Sequence, residues 1–88
     1  MAQKDAEANL GSALTLPQAF GTAVRELRLK QGLSQEAAAL HANIDRAYFG
    51  RLERAGKVPT LTTVWKIAAA LGTTPSELLA RTEHLLEG

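Results

Sequence analysis

Residues 34–56 of the chain read SQEAAALHANIDRAYFGRLERAG and contain two short helical patterns separated by a turn. Ser34 is a good N-cap, because its hydroxyl accepts a hydrogen bond from a free N–H of the first turn. Asn43 tolerates a left-handed backbone and suits the turn. Asp45 can cap the helix that follows. The pattern therefore predicts helices over residues 34–42 and 45–54, joined by a tight turn.

The second of these helices has two unlike sides. At about 100° per residue, Tyr48, Phe49 and Leu52 gather on one side, which predicts an ordinary buried face. The other side carries Arg46, Ala47, Gly50 and Arg54, with Arg51 at its edge. A glycine inside a helix costs roughly 1 kcal/mol relative to alanine. We therefore expect Gly50 to leave an open surface that another molecule can approach closely.

A DNA major groove suits this small and basic side. Residues 44–57 carry a local net charge of +2. Phosphates line the walls of the groove, and guanine O6 and N7 accept a bidentate arginine. Gln35 lies at the positive end of the first helix, where its amide and free backbone N–H groups suit one phosphate. Two helices in this order form a helix-turn-helix, whose second helix enters the groove.

Three further helices are predicted around this motif. Pro17 suits the first turn of a helix, with Thr15 or Leu16 before it, and Gly32 ends that helix as a left-handed cap. Thr60 can cap a fourth helix, which Gly72 stops, and a fifth begins near Thr74 or Pro75. Periodicity places Phe20, Val24 and Leu27 on the apolar stripe of the first helix, and Leu61, Val64, Ile67, Ala68 and Leu71 on the buried face of the fourth. No strand-like alternation occurs, so the fold class is all-α with five helices.

Composition restricts the functions that the chain can have. Its 88 residues suffice for one small domain, and its lack of cysteine excludes a disulfide framework and a cysteine-ligated zinc site. The N-terminus MAQKDAEANL is not a secretory signal, and the apolar runs AAAL and IAAAL are too short to span a membrane. His41 and His84 lack neighbours at metal-ligand spacing, and no catalytic pattern surrounds the serines. We expect a cytoplasmic protein that is not an enzyme and has no metal, cofactor, small-molecule ligand or membrane partner.

The sequence resembles the lambda-repressor-like, or Cro/XRE, family of helix-turn-helix transcriptional regulators over roughly residues 17–79. The resemblance rests on GLSQE, the turn into IDRAYFGRLE, a basic loop ending in proline, and KIAAALG. Within the family, the chain is most similar to small stand-alone regulators, including controllers of restriction–modification operons. The resemblance implies a five-helix DNA-binding domain. We expect residues 1–16 to form a flexible arm, and residues 80–88 to extend the last helix toward a dimer contact.

The resemblance also implies roles for individual side chains. Gln35 is expected to contact phosphate and to brace the recognition helix, and Arg28 and Glu53 to tie the first and third helices by an ion pair. Expected contacts to DNA bases come from Arg46, Ala47 and Arg51. Expected contacts to the DNA backbone come from Ser34, Gln35, Tyr48, Arg54 and Lys57.

The apolar residues toward the C-terminus leave two functions open. Trp65 lies beside the buried face of the fourth helix, where it either completes the core or meets a partner. The fifth helix has leucine pairs seven residues apart. We predict a two-fold dimer on a pseudo-palindromic operator, formed by Trp65, Leu78, Leu79, Leu85 and Leu86. The alternative is a protein-interaction module, such as an antitoxin or anti-regulator, built on the same helical bundle.

Overall fold

The computed structural model describes residues 14–88, and these form five α-helices and no strand. The helices are α1 (Leu16–Lys30), α2 (Gln35–Ala42), α3 (Arg46–Glu53), α4 (Leu61–Ala70) and α5 (Pro75–Glu87). The predicted all-α fold is confirmed over this part of the chain. The proposed N-terminal arm, residues 1–16, lies outside the described residues except for its last three positions.

Each described helix begins at a side chain that accepts a hydrogen bond from the first turn. The N-caps are Thr15, Ser34, Asp45, Thr60 and Thr74, and each accepts from the backbone N–H three residues later. At Thr15 the bond is reciprocal, because its own N–H donates to the Gln18 side chain at 2.9 Å. The predicted helix starts are therefore confirmed.

The first four helices end in the same backbone turn. After each of these helices, a single residue has a left-handed φ. These residues are Gly32 (73°), Asn43 (56°), Ala55 (64°) and Gly72 (70°). The residue that follows donates its N–H to a carbonyl five residues earlier, as Gly56 does to Arg51 at 2.7 Å. The left-handed turns at Gly32 and Asn43 were predicted. The left-handed residue of the turn after α3 is Ala55, directly before Gly56.

The core is mainly aliphatic, and its largest fully buried side chains are Val24, Phe49, Leu52, Ile67, Leu71 and Leu78. α3 lies between two other helices. α1 packs against α3 and α5, while α2 packs against α3 and α4. α3 is thus positioned by α1 on one side and α2 on the other.

For three apolar residues, the sequence analysis either predicted the wrong position or left the position open. Leu61 was predicted on the buried face of α4 but is 71% exposed, because it is the first helical residue and lies at the rim of the core. Leu78 was predicted at a dimer interface but is fully buried in the core cluster, so a second copy cannot contact it. Trp65 is 58% exposed, which excludes the possibility that it completes the core.

α1 and α3 approach each other closely at Gly21. A Cβ atom on Gly21 would lie 2.6 Å from the carbonyl oxygen of Leu52 and 2.5 Å from that of Glu53. Because these are backbone atoms, no side chain fits between the helices. Gly21 therefore sets the distance of α3 from α1, a role that the apolar periodicity of α1 did not indicate.

α5 is one continuous helix, so the expected division between residues 79 and 80 falls inside it. Arg81 ties α5 to α1, since its Nε donates to Glu26 Oε1 at 2.8 Å. This hydrogen bond and the charge of Glu26 raise the pKa of Arg81. Among the helices of residues 14–88, none combines the length and apolarity needed to cross a lipid bilayer.

Candidate nucleic-acid interface

One side of α3 is buried and the other is exposed, as predicted. Phe49 and Leu52 are fully buried, and Tyr48 packs partly buried against the core. Arg46, Ala47 and Arg51 are exposed. Asp45 Oδ2 accepts the Tyr48 N–H at 3.0 Å, which fixes the first turn from which these side chains project.

The exposed side of α3 forms a shallow depression together with the start of α2. The lining residues are Gln35, Arg46, Ala47, Gly50, Arg51 and Arg54. None of these residues is acidic, and three of them carry a guanidinium group. The structure thus brings together all three predicted base contacts and two of the predicted backbone contacts. A concave surface of this charge attracts an anion with several acceptor atoms.

A buried ion pair fixes the C-terminal end of α3. Arg28 Nε donates to Glu53 Oε2 at 2.6 Å, and Arg28 Nη2 donates to Glu53 Oε1 at 3.1 Å. The two side chains are 9% and 3% exposed. Arg28 also donates to the Leu33 carbonyl at 2.9 Å, so one guanidinium links α1, the following loop and α3. The predicted Arg28–Glu53 ion pair is confirmed.

Gln35 extends this network to α2. Its Nε2 donates to Glu53 Oε1 at 2.9 Å, so the predicted brace between Gln35 and the recognition helix is confirmed. A primary amide has two N–H groups, and the bond to Glu53 uses one of them. The predicted contact of Gln35 with phosphate stays a prediction.

Gly50 does not leave the open surface that the sequence analysis predicted. It is buried, and a Cβ atom there would lie 3.2 Å from Arg54 Nη1 and 3.6 Å from Gln35 Oε1. The space that glycine leaves is thus occupied by two side chains of the chain itself. The prediction that another molecule lies directly against Gly50 is wrong, because Gln35 and Arg54 cover it.

The other predicted backbone contacts lie near the ends of the two helices. Ser34 caps α2, where its Oγ accepts the Ala37 N–H at 3.0 Å and retains its own O–H as a donor. Tyr48 lies in the first turn of α3, and Lys57 is exposed in the loop that follows α3. Their contacts with DNA stay predictions.

A second surface feature is an apolar groove between the start of α1, the loop before α4, and α5. Among its lining residues are Leu16, Phe20, Val58, Pro59, Val64 and Leu79. An adjoining depression shares Leu16 and Leu79 and adds Leu86. Leu16 is 60% exposed and Val58 is 71% exposed. The sequence left open whether Leu16 docks on another surface, and it missed Val58, which lies in a loop, where periodicity gives no signal.

Residues 24–78 match the helix-turn-helix family model, a segment that runs from α1 into α5 and includes the whole depression. The chain belongs to the helix-turn-helix family. Within this family, α2 and α3 are the two helices of the motif, and α3 is the recognition helix. The resemblance to Cro/XRE regulators stated from the sequence is confirmed.

The similar proteins of this helix-turn-helix family include restriction–modification controllers. The chain is 39% identical over 61 residues to control protein C.BamHI of Bacillus amyloliquefaciens, covering 68% of this chain and 75% of that protein. It is 38% identical over 65 residues to control protein C.MunI of a Mycoplasma species, covering 73% and 88%. The restriction–modification controller C.AhdI from Aeromonas hydrophila is 42% identical in sequence to this chain. Its crystal structure matches the fold with a TM-score of 0.69, covering 70% of this chain and 94% of that one.

Proposed function

We propose that the chain is a cytoplasmic transcriptional regulator, without enzymatic activity, that binds a pseudo-palindromic DNA operator as a homodimer through the major groove. One observation carries the proposal: Arg46, Arg51 and Arg54 line a single depression free of acidic side chains on the exposed edge of the recognition helix. The similarity to control proteins supports a regulatory role.

The central part of the depression is suited to reading bases. Arg46 and Arg51 can each present two N–H donors to guanine O6 and N7, and Ala47 can contact a thymine methyl group. All three are exposed on α3. A bidentate arginine contact contributes about 1–3 kcal/mol of discrimination against the wrong base.

The edges of the surface are suited to phosphates. Gln35 and Ser34 lie at the start of α2, where backbone N–H groups lack partners within the helix and favour an anion. Lys57 supplies a positive charge from the loop after α3, and Tyr48 a hydroxyl from its first turn. These contacts fix the orientation of the protein on the duplex without reading sequence.

Selection of bound sites from random DNA, followed by gel shifts with single substitutions, tests the function. Arg46→Ala is expected to lose about 1–3 kcal/mol on the selected site and to relax the preference at one base pair. Lys57→Ala is expected to weaken binding to selected and random duplexes alike. Arg81→Ala is the matched control, since it removes an arginine from α5 and is expected to leave both affinities unchanged. Equal losses for Arg46→Ala on both duplexes would contradict the base-reading role.

The apolar groove favours a second candidate, a protein-interaction module that clasps a partner with this face. The salt dependence of binding affinity distinguishes these two candidate functions. Arg54 and Lys57 of the two protomers give four cations that contact phosphates, which predicts a loss of affinity on the order of a hundredfold between about 50 mM and about 200 mM salt, through counterion release. An apolar clasp predicts little change. Selected DNA sites with a flat salt dependence would reject the regulator.

A further inference from the structure

We propose that Gly50 is a positioning residue for DNA binding: without a side chain, it lets the Arg54 guanidinium lie back across α3 toward Gln35, where Arg54 and Gln35 together hold one phosphate of the DNA backbone. The inference rests on the proposed function and deepens it. It assigns a role to a residue that the sequence had placed on an open surface.

The position of the Arg54 side chain follows from what surrounds Gly50. Arg54 is the C-cap of α3 and lies four residues after Gly50, so the two share one side of the helix. The site of a Cβ on Gly50 is 3.2 Å from Arg54 Nη1 and 4.0 Å from Arg54 Cζ. The guanidinium therefore lies directly over the glycine rather than extending into solvent along the helix axis.

Gln35 faces the same point from α2, and its orientation is fixed. Its Nε2 is bound to Glu53 Oε1 at 2.9 Å, so its Oε1 is turned away from that carboxylate. This oxygen lies 3.6 Å from the Cβ site on Gly50. The amide oxygen and the guanidinium thus approach the glycine from two helices, an arrangement that favours the observed position of the cation.

The charge of Arg54 stays available to a ligand. Glu53, the carboxylate in the adjoining network, accepts two bonds from Arg28 and one from Gln35. Since Glu53 is neutralised by Arg28, Arg54 adds an uncompensated positive charge to the depression. The anion it attracts must lie next to the N-terminal end of α2.

A phosphate fits this place better than a base edge. In a helix-turn-helix the first helix crosses the sugar–phosphate backbone, while the exposed N-terminal part of the second enters the groove. Arg54 follows the last turn of α3 and adjoins the first residue of α2. Its guanidinium, the second N–H of Gln35 and the start of α2 form one donor set that matches a phosphodiester.

A methyl group at position 50 acts on this donor set and on the helix in opposite directions. At 3.2 Å from Arg54 Nη1 this methyl makes a tight contact, so the flexible end of the arginine must shift by a few tenths of an ångström. The fold itself meets no backbone obstacle there, and alanine is the better helix former. Gly50→Ala is therefore expected to weaken DNA binding while raising the midpoint of thermal unfolding.

A double-mutant cycle on the full chain tests the inference with the duplex selected from random DNA and with a scrambled duplex. Gly50→Ala is expected to lower affinity about tenfold on both duplexes, because the displaced Arg54 guanidinium holds its phosphate less well. In an Arg54→Ala background the same substitution is expected to have almost no further effect. In an Arg81→Ala background the tenfold loss is expected to persist in full.

The salt slope gives a second measurement. Arg54→Ala removes a cation and should make log affinity less steep against log salt by about 0.9, whereas Gly50→Ala keeps the charge and should leave the slope near that of the wild type. If the losses of affinity simply add in the cycle, or if Gly50→Ala binds like the wild type, the inference about Gly50 is overturned but the proposed function is not. A wild-type chain that binds no duplex would overturn the proposed function and this inference with it.

Discussion

Ala55 adopts a backbone conformation that side chains disfavour. Its φ is 64°, and the three equivalent turns after α1, α2 and α4 carry glycine or asparagine at this position. A left-handed conformation costs an L-residue roughly 1–2 kcal/mol, because Cβ crowds the following carbonyl. Gly56 follows Ala55 directly, so the glycine lies one residue after the position at which the turn has its left-handed φ. A sequence reading that looks for glycine at helix ends therefore misplaces this turn.

Ala55→Gly is expected to raise the free energy of unfolding by about 0.5–1 kcal/mol. The gain is the relieved backbone strain, less the larger entropy that glycine adds to the unfolded chain. Urea unfolding followed by circular dichroism measures it. The reverse change, Gly32→Ala, is the control: it has the same left-handed φ and no neighbour within 4 Å, so it isolates the strain. It is expected to lose about 1 kcal/mol. A loss of stability in Ala55→Gly would show that the turn is held by something other than its backbone preference.

At the scale of helices, the sequence indicates where each helix begins more clearly than it indicates which side chains of different helices make contact. Thr15, Ser34, Asp45, Thr60 and Thr74 each start a helix by a local bond to an N–H three residues on, which is why the sequence located them. The bond between Gln35 and Glu53 joins residues 18 positions apart. Periodicity carries no information about such pairs, and the resemblance to a known family indicated only that Gln35 braces α3, without naming Glu53 as its partner.

The two glycines inside described helices show the same limit. In the sequence, Gly21 and Gly50 look alike, since each interrupts a helical pattern. In the structure, Gly21 faces the backbone of α3, whereas Gly50 faces the side chains of Gln35 and Arg54. What each glycine does is decided by the neighbouring helix, so it becomes visible only after folding.

Substitution of these glycines by alanine is expected to have opposite effects on stability. Gly21→Ala should lower the free energy of unfolding by about 2–3 kcal/mol, because carbonyl oxygens at 2.5 and 2.6 Å cannot yield without moving α3 from α1. Gly50→Ala should raise it by up to about 1 kcal/mol through helix propensity. Thermal and urea unfolding of both variants, side by side, measure the difference. Two changes of the same sign would contradict the packing argument for α1 and α3.

At the scale of the whole molecule, two surfaces of different chemistry lie on different helices. The cationic depression belongs to α2 and α3, and the apolar groove to α1, α4, α5 and the loop before α4. Among the described residues, none lines both. DNA and a second copy of the chain therefore need not compete. The sequence indicated the first surface because most of its residues are close together in one helix, but of the second it indicated only Leu79 and Leu86 on α5. Leu16, Val58 and Leu79 come together only when distant segments pack.

Leu79→Glu is expected to convert the predicted dimer to a monomer. Leu79 is 40% exposed and lines both apolar depressions, so a carboxylate there would be desolvated at a two-fold interface yet tolerated in the folded monomer. Sedimentation at tens of micromolar protein, roughly where weak interfaces populate, measures the change. Leu29→Glu is the matched control, because Leu29 is 57% exposed on α1 and lines neither depression.

Loss of the dimer should also be visible on DNA. Two recognition helices related by a two-fold axis contact half-sites about 34 Å apart, one turn of B-DNA. A Leu79→Glu monomer is expected to bind an isolated half-site like the wild-type protomer, but to lose the gain in affinity that a second half-site gives. Gel shifts on one-half-site and two-half-site duplexes compare the two. If Leu79→Glu sediments as a dimer and keeps that gain, the groove is not the interface, and the exposed Trp65 face of α4 becomes the surface that joins the two copies.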